Sequence, residues 1–324
     1  MRNWQQKLKF DPFPPLMASK NQAIRYFTRR DLLEEVVEKI ENLWQLPQVK
    51  KPLSKQLANG TGKYPGGGRT HLRATEDYNQ IETFRILGEL VEKYAMDKRH
   101  TAIEKAASYL FSCQTEEGDF RGIYGTQYTP NYSAAIMELL IKAGYGADSR
   151  IEEGFQWLLS IRQNDGGWAI PLRTVAIKFN TGILKAATLK PNTLKPFSHL
   201  VTGVVLRAFA AHEKYRTTEV AKTAGELLAS RFFEKDAYPD RQSVDFWLKF
   251  SYPFWFTDML SSLDSLSLMG FTVDNPQIVK ALDWFTTRQQ ENGTWKLALL
   301  RNKDKDLGLW LSLAICRVFK RFYG

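Results

Sequence analysis

The residues best suited to chemistry are a few carboxylates and one imidazole set among aromatic side chains. They fall in Thr75-Glu76-Asp77-Tyr78-Asn79, in Tyr124 and Gln127 to Tyr132, in Phe197-Ser198-His199, in Tyr252 to Asp258, and in Asp304 and Asp306 ahead of Trp310. A carboxylic acid kept neutral in an aromatic wall can protonate an alkene, and two carboxylates at a suitable separation can cleave a glycosidic bond. Aromatic faces stabilise cations and stack on apolar or sugar rings. The candidate catalytic residues are therefore Asp258, Asp77 and His199. The candidate ligand cavity is walled by Tyr78, Tyr128, Tyr132, Trp255, Phe256, Asp304, Asp306 and Trp310. Plainer duties compete: Glu76, Asp77, Asp304 and Asp306 suit helix caps and first turns, and one histidine at a helix start is more often structural. Asp258 and Asp264 interrupt an otherwise apolar helix, where a buried carboxylate is costly without a partner, and this puts Asp258 first.

These positions all lie where helices begin. Helices near 77–95, 129–144, 198–212, 254–270 and 305–322 are rich in small, apolar and hydroxyl residues. Each except the last is followed by a more charged, amphipathic helix, such as the one carrying Ile103, Ala106, Ala107, Leu110 and Phe111. Helices apolar on more than one face belong inside, and helices with one apolar stripe belong outside. Five or six inner helices with about five outer ones are expected, all-α, with the first turns of the inner set converging on one mouth. Asp148 before Ile151 and Asn275-Pro276 mark outer-helix starts.

Each outer helix closes on a turn of one type. Gln163-Asn164-Asp165-Gly166-Gly167-Trp168 is the clearest copy; Gln114 to Phe120, with Gly118, and Gln290 to Trp295, with Gly293, repeat it. Gln56 to Gly62 is weaker, and Arg231 to Tyr238 weaker still. Glutamine can bond backbone groups at the helix end, glycine permits the tight turn, and the aromatic packs across the joint, so these turns read as structural. Such units resemble the QW repeats of the terpene-cyclase and protein-prenyltransferase superfamily, over most of the chain from about residue 50.

The resemblance implies an α/α toroid, close to a six-hairpin barrel, and it narrows the chemistry. Proton-initiated cyclases of that superfamily carry an Asp-x-Asp-Asp motif, whereas Asp304-Lys305-Asp306 is followed by Leu307. Protein prenyltransferases bind zinc through Asp, Cys and His. Cys113 and Cys316 sit at packing positions with no ligand spacing to any histidine, so no metal is expected. No cofactor is expected either: Lys63 to Arg69 is glycine-rich but no Gly-Lys-Ser/Thr closes it.

The whole chain sets wider bounds. Its 324 residues, 44% hydrophobic and 25% charged, can bury a large core and are not those of a disordered chain. The division expected is an extended, proline-interrupted arm at 1–20, whose aromatics pack on the body, and one toroid domain over 21–324. Two thiols in apolar helices fit a reducing compartment; with no signal peptide or membrane-spanning run, the protein reads as cytoplasmic. The formal charge of +10 suits either plain solubility or attraction to an acidic partner. It concentrates in a long insertion at 170–199, where Arg173, Lys178, Lys185, Lys190 and Lys195 meet no Asp or Glu. That segment can be a lid, a basic patch for peripheral membrane contact, or a simple cover. No continuous basic stripe signals nucleic acid. Three functions compete: binding or transforming an isoprenoid or other apolar molecule, which ranks first; carbohydrate chemistry on cavity carboxylates; and a non-enzymatic module for an acidic partner or membrane.

Overall fold

Helix burial follows the two sequence patterns closely. The computed structural model describes residues 3–63, 75–178, 181–182, 187–240, 242–300 and 304–324, with the side chains of residues 75–77 outside that description. The fold class is all-α, of the α/α-toroid kind. The chain divides into two compact units, residues 40–212 and residues 1–39 with 213–324.

In the 40–212 unit, the helix Pro130–Leu140 buries every residue from Ser133 to Leu140, and His199–Ala211 buries every residue from Val201 to Ala210. They pack on each other, and Thr75–Tyr94 also packs on the first. Proline at the first position starts Pro130–Leu140 at little cost, since that N–H has no helical partner in any case. The outer helices Thr101–Ser112 and Ser149–Ser160 bury one stripe each: Ile103, Ala106, Ala107, Leu110 and Phe111 in one, Ile151, Gly154, Phe155, Trp157 and Leu158 in the other. Each large apolar side chain in such a stripe contributes about 1.5–3 kcal/mol. His100 and Asp148 cap them, accepting from the N–H groups of Ala102 and Arg150.

The turns share one geometry. The amide Nε2 of Gln56 donates to Gly60 O at 3.1 Å and to Ala102 O at 2.8 Å. Gln114 Nε2 donates to Gly118 O at 2.8 Å and to Arg150 O at 2.7 Å, so each glutamine ties its own turn to the first turn of the next outer helix. Glycine is required twice over: Gly118 has φ +99°, and a Cβ there would stand 2.5 Å from Glu153 O. Indole N–H groups close the joint, Trp168 Nε1 on Leu158 O at 2.7 Å and Trp295 Nε1 on Phe285 O at 2.9 Å.

Two register corrections follow from this geometry. In the last copy the glutamine that reaches the carbonyl four residues on is Gln289, not Gln290, donating to Gly293 O at 3.2 Å. Gln290 and Gln163 instead hold the place of Thr115, whose backbone N–H reaches four residues ahead, at 2.8, 2.9 and 2.9 Å respectively. The side chain of Gln163 is thereby released to the 170–199 insertion, donating to Asn192 O and Lys195 O. In the weakest copy an arginine acts as the glutamine: Arg231 Nη2 donates to Lys235 O at 2.6 Å.

In the other unit, Met259–Leu268 and Leu307–Tyr323 are the deeply buried helices, and Glu219–Ser230 and Pro276–Thr287 the striped ones. Two-residue strands Lys249–Phe250 and Ala298–Leu299 pair in parallel. The N-terminal residues are not simply extended. Asn3–Lys7 is a 3₁₀ turn and Phe13–Met17 an α-helix with Pro14 and Pro15 in its first turn, where missing N–H groups cost nothing. Trp4 and Leu16 are fully buried, and Trp4 and Phe13 meet edge to face at 6.0 Å. Gln289 Nε2 donates to Phe10 O, and its Oε1 accepts from the N–H groups of Lys9 and Phe10. The N-terminal segment thus occupies, for the last turn, the place that the next outer helix occupies for the earlier ones.

Candidate functional site

The first turns of Thr75–Tyr94 and Pro130–Leu140 carry the aromatic and polar groups that sequence patterns select. Tyr132 meets Phe84 edge to face at 6.3 Å and Tyr124 at 5.5 Å. Tyr78, Tyr124 and Tyr132 are half-buried, so their rings keep some free surface. Asp77 lies outside the described side chains. His199 opens its helix behind the cap Ser198, whose Oγ accepts from Val201 N–H, and is 7% exposed. Among the buried atoms of this region without a hydrogen-bond partner are Gln80 Nε2, one turn before Phe84, and Asn131 Oδ1, next to Tyr132. Sequence reasoning passed over both amides, because neither spacing nor type distinguishes them from surface amides.

Tyr128 has a different environment from the one expected. At 1% exposure it presents no open ring face. Its ring packs on Trp157 at 5.5 Å, with Arg121 and Lys190 about it at 5.1 and 5.0 Å. Its hydroxyl donates to Glu117 and accepts from Lys190. That hydroxyl chiefly, with Arg121 and Lys190, holds the Glu117 carboxyl down to about 2. Burial first, then Glu117, pushes the phenol up.

Lys190 belongs to the insertion, and its neighbours show how that segment is held. Gln127 Nε2 donates to Ala187 O at 2.9 Å while its Oε1 accepts from Leu189 N–H at 3.0 Å. Thr188 Oγ1 donates to Thr126 O, Asn164 N–H to Thr193 O, and Phe197 N–H to Asp165 Oδ2. No side chain from 187 to 197 is buried, and Leu194 is 82% exposed. Residues 187–197 of the insertion form a strap fixed across Thr126 to Tyr128 by polar contacts, the kind of segment whose local opening costs least, while Ile170, Pro171, Leu172 and Thr174 at its start are buried.

Deeper in the same unit, Arg207 Nε donates to Glu138 Oε2 at 2.7 Å, and Lys142 Nζ reaches Glu138 and Glu92 at 2.8 and 2.6 Å. Burial alone would raise the Glu138 carboxyl; Arg207 and Lys142 outweigh it and keep it ionised. The i,i+4 pair Glu138 and Lys142 in an apolar helix was the available sequence signal.

In the 1–39 and 213–324 unit the expected residues have structural partners. The helix begins at Met259 rather than near 254, so Asp258 caps it instead of interrupting it. Asp258 Oδ1 accepts from Ser261 N–H at 2.8 Å, and Ser261 Oγ accepts from Asp258 N–H at 3.0 Å, a reciprocal capping box. Asp264 pairs with Arg321. Asp306 Oδ2 accepts from Asn21 Nδ2 at 2.9 Å, and Asp304 Oδ1 from Asp306 N–H. Trp310, 1% exposed, stacks on Tyr252 at 5.5 Å and offers no free face. Trp255 and Phe256 precede the helix as a half-buried edge-to-face pair at 6.1 Å.

Residues 73–176 match the squalene-hopene cyclase C-terminal domain family. The stretch spans the helices Thr75–Tyr94 and Pro130–Leu140 and both outer helices between and after them. Over that stretch the chain carries squalene-hopene-cyclase-like repeats. It is similar to the squalene-hopene cyclase of Bradyrhizobium diazoefficiens, 26% identical over 155 residues, which are 46% of this chain and only 21% of that protein. Among solved structures it is similar to a polysaccharide lyase, at 14% identity and TM-score 0.45 over 93% of this chain and 86% of that one. It is also similar to the type II terpene cyclase MstE from Scytonema, at 10% identity and TM-score 0.36 over 86% and 97%. At these scores neither structure bears on activity. Among the described residues no helix is long and apolar enough to cross a membrane, and no cluster of His, Cys, Asp and Glu could hold a metal ion.

Proposed function

We propose that this protein binds an apolar, isoprenoid-like molecule against the aromatic side chains at the starts of its buried helices. The observation that carries this reading is the coincidence of the squalene-hopene cyclase C-terminal domain match with the ring cluster of half-buried Tyr124 and Tyr132 on buried Phe84. Trp255 and Phe256 are the corresponding surface of the other unit. Binding is assigned ahead of proton-initiated cyclisation, because Asp258 already serves as a helix cap and Asp304 and Asp306 serve each other and Asn21. Native mass spectrometry of protein purified from its own host tests the reading. A retained polyprenyl or similar species, reduced in Tyr132→Ala, supports it. An empty spectrum under conditions that preserve a control lipid complex removes it.

A second reading, peripheral membrane contact through the strap, is favoured by the exposure of Leu194 beside Lys190 and Lys195. Flotation with anionic vesicles, lost in Leu194→Glu, is the expected result; equal flotation of the variant sinks it.

A further inference from the structure

We propose that the bound molecule carries a neutral hydroxyl, or a group that likewise both donates and accepts, received by Gln80 and Asn131. The inference rests on the isoprenoid-like reading and specifies one end of that ligand. Gln80 is 2% exposed and its Nε2 has no hydrogen-bond partner; Asn131 Oδ1 is buried and equally without one. A buried amide group left unpaired costs about 1–3 kcal/mol, so a ligand that pairs with either atom recovers that cost. Gln80 lies in the second turn of Thr75–Tyr94, one turn before Phe84, and Asn131 in the first turn of Pro130–Leu140, beside Tyr132; the two helices pack together, and Phe84 and Tyr132 are themselves in ring contact. The two amides therefore border the same half-buried aromatic group that would cover the apolar body of the ligand.

The donors and acceptors set the chemical class. Nε2–H is a donor and Oδ1 an acceptor, so together they match one hydroxyl, which accepts from the first and donates to the second. Both amides are neutral, and an acceptor oxygen such as Asn131 Oδ1 repels a phosphate or carboxylate. A diphosphate ester is thus disfavoured, and so is a plain hydrocarbon, which would leave both amides unpaired. A site built to hydrogen-bond a hydroxyl discriminates strongly against the analogue without it.

The test compares farnesol, farnesene and farnesyl diphosphate by calorimetric titration of the full chain. The expected result is that farnesol binds at least about tenfold more tightly than either of the others. Gln80→Met and Asn131→Leu should each reduce that preference by weakening farnesol binding. Their melting temperatures should not fall, since each change removes an unpaired buried group. Equal affinity for farnesol and farnesene overturns the inference and leaves the amides to hold water alone, with the isoprenoid reading intact. A preference for farnesol that survives both substitutions also overturns it, by putting the hydroxyl site elsewhere. Binding of none of the three removes the isoprenoid reading and this inference with it. The wild-type comparison needs no variant to fold.

Discussion

The Gln114 turn and the Gln289 turn make the same joint with different material. Gln114 reaches 36 residues forward to Arg150 in the next outer helix, whereas Gln289 reaches 279 residues back to Phe10 in the N-terminal segment. In both, the glycine with positive φ stands against a backbone carbonyl, that of Glu153 for Gly118 and that of Asp11 for Gly293. A repeat needs a neighbour to satisfy its turn. The last repeat has none following it among the described residues, and the N-terminal residues stand in. The difference teaches that a joint formed from distant chain carries more contacts: Gln289 uses both of its amide atoms on the N-terminal segment, while Gln114 Oε1 is buried without a partner.

The strongest way to break this comparison is to remove residues 3–17. Loss of Trp4 and Leu16 from the core, at about 1.5–3 kcal/mol each, should lower unfolding free energy by at least about 3 kcal/mol. Urea titration measures it, and an unchanged midpoint would mean that the segment does not serve as the missing neighbour.

Next come the glycines. Alanine at Gly118 or Gly293 must hold a positive φ, costing about 1–2 kcal/mol, and must also push back a carbonyl. Because a Cβ would lie 2.0 Å from Asp11 O at Gly293 but 2.5 Å from Glu153 O at Gly118, the loss should be larger at Gly293. The reverse order would show that the N-terminal segment yields more readily than a helix.

The register is sharpened by neighbouring glutamines. Gln289→Leu should cost about 2–3 kcal/mol through its hydrogen bonds, and Gln290→Leu under about 0.5 kcal/mol. Similar losses at both positions would return the repeat to the register in which Gln290 leads.

The smallest effect is a pH dependence at the Gln114 turn. Glu117 is held down to about 2 from 4.5, so its contribution is complete above the unfolded value and is lost as pH falls through about 2. The side chain is 43% exposed, and solvent screening limits the effect to below about 1 kcal/mol. Tyr128→Phe removes the main cause, and the NMR titration of the Glu117 carboxyl should then move up toward 4.5. A titration unmoved by the substitution would mean that Arg121 and Lys190 alone hold it.

The chain's own pattern determined a good deal. The alternation of deeply buried and striped helices, their approximate spans, and the glutamine, glycine and aromatic turns are local facts, because helix period and turn chemistry act over a few residues. The aromatic residues at helix starts were legible for the same reason. What each of them touches was not. Tyr128 and Trp310 became fully covered, Asp258 became a cap because its helix starts at Met259, and Gln289 displaced Gln290, since each outcome depends on which distant segment arrives. The strap on Gln127 and Gln163 and the unpaired amides of Gln80 and Asn131 likewise had no local signature that separated them from surface groups, and the i,i+4 spacing of Glu138 and Lys142 gave no sign that Arg207 would join them. Burial and hydrogen-bond partnership are properties of tertiary packing: the same amide is unremarkable in water and demands a partner only once neighbouring helices have excluded the solvent around it.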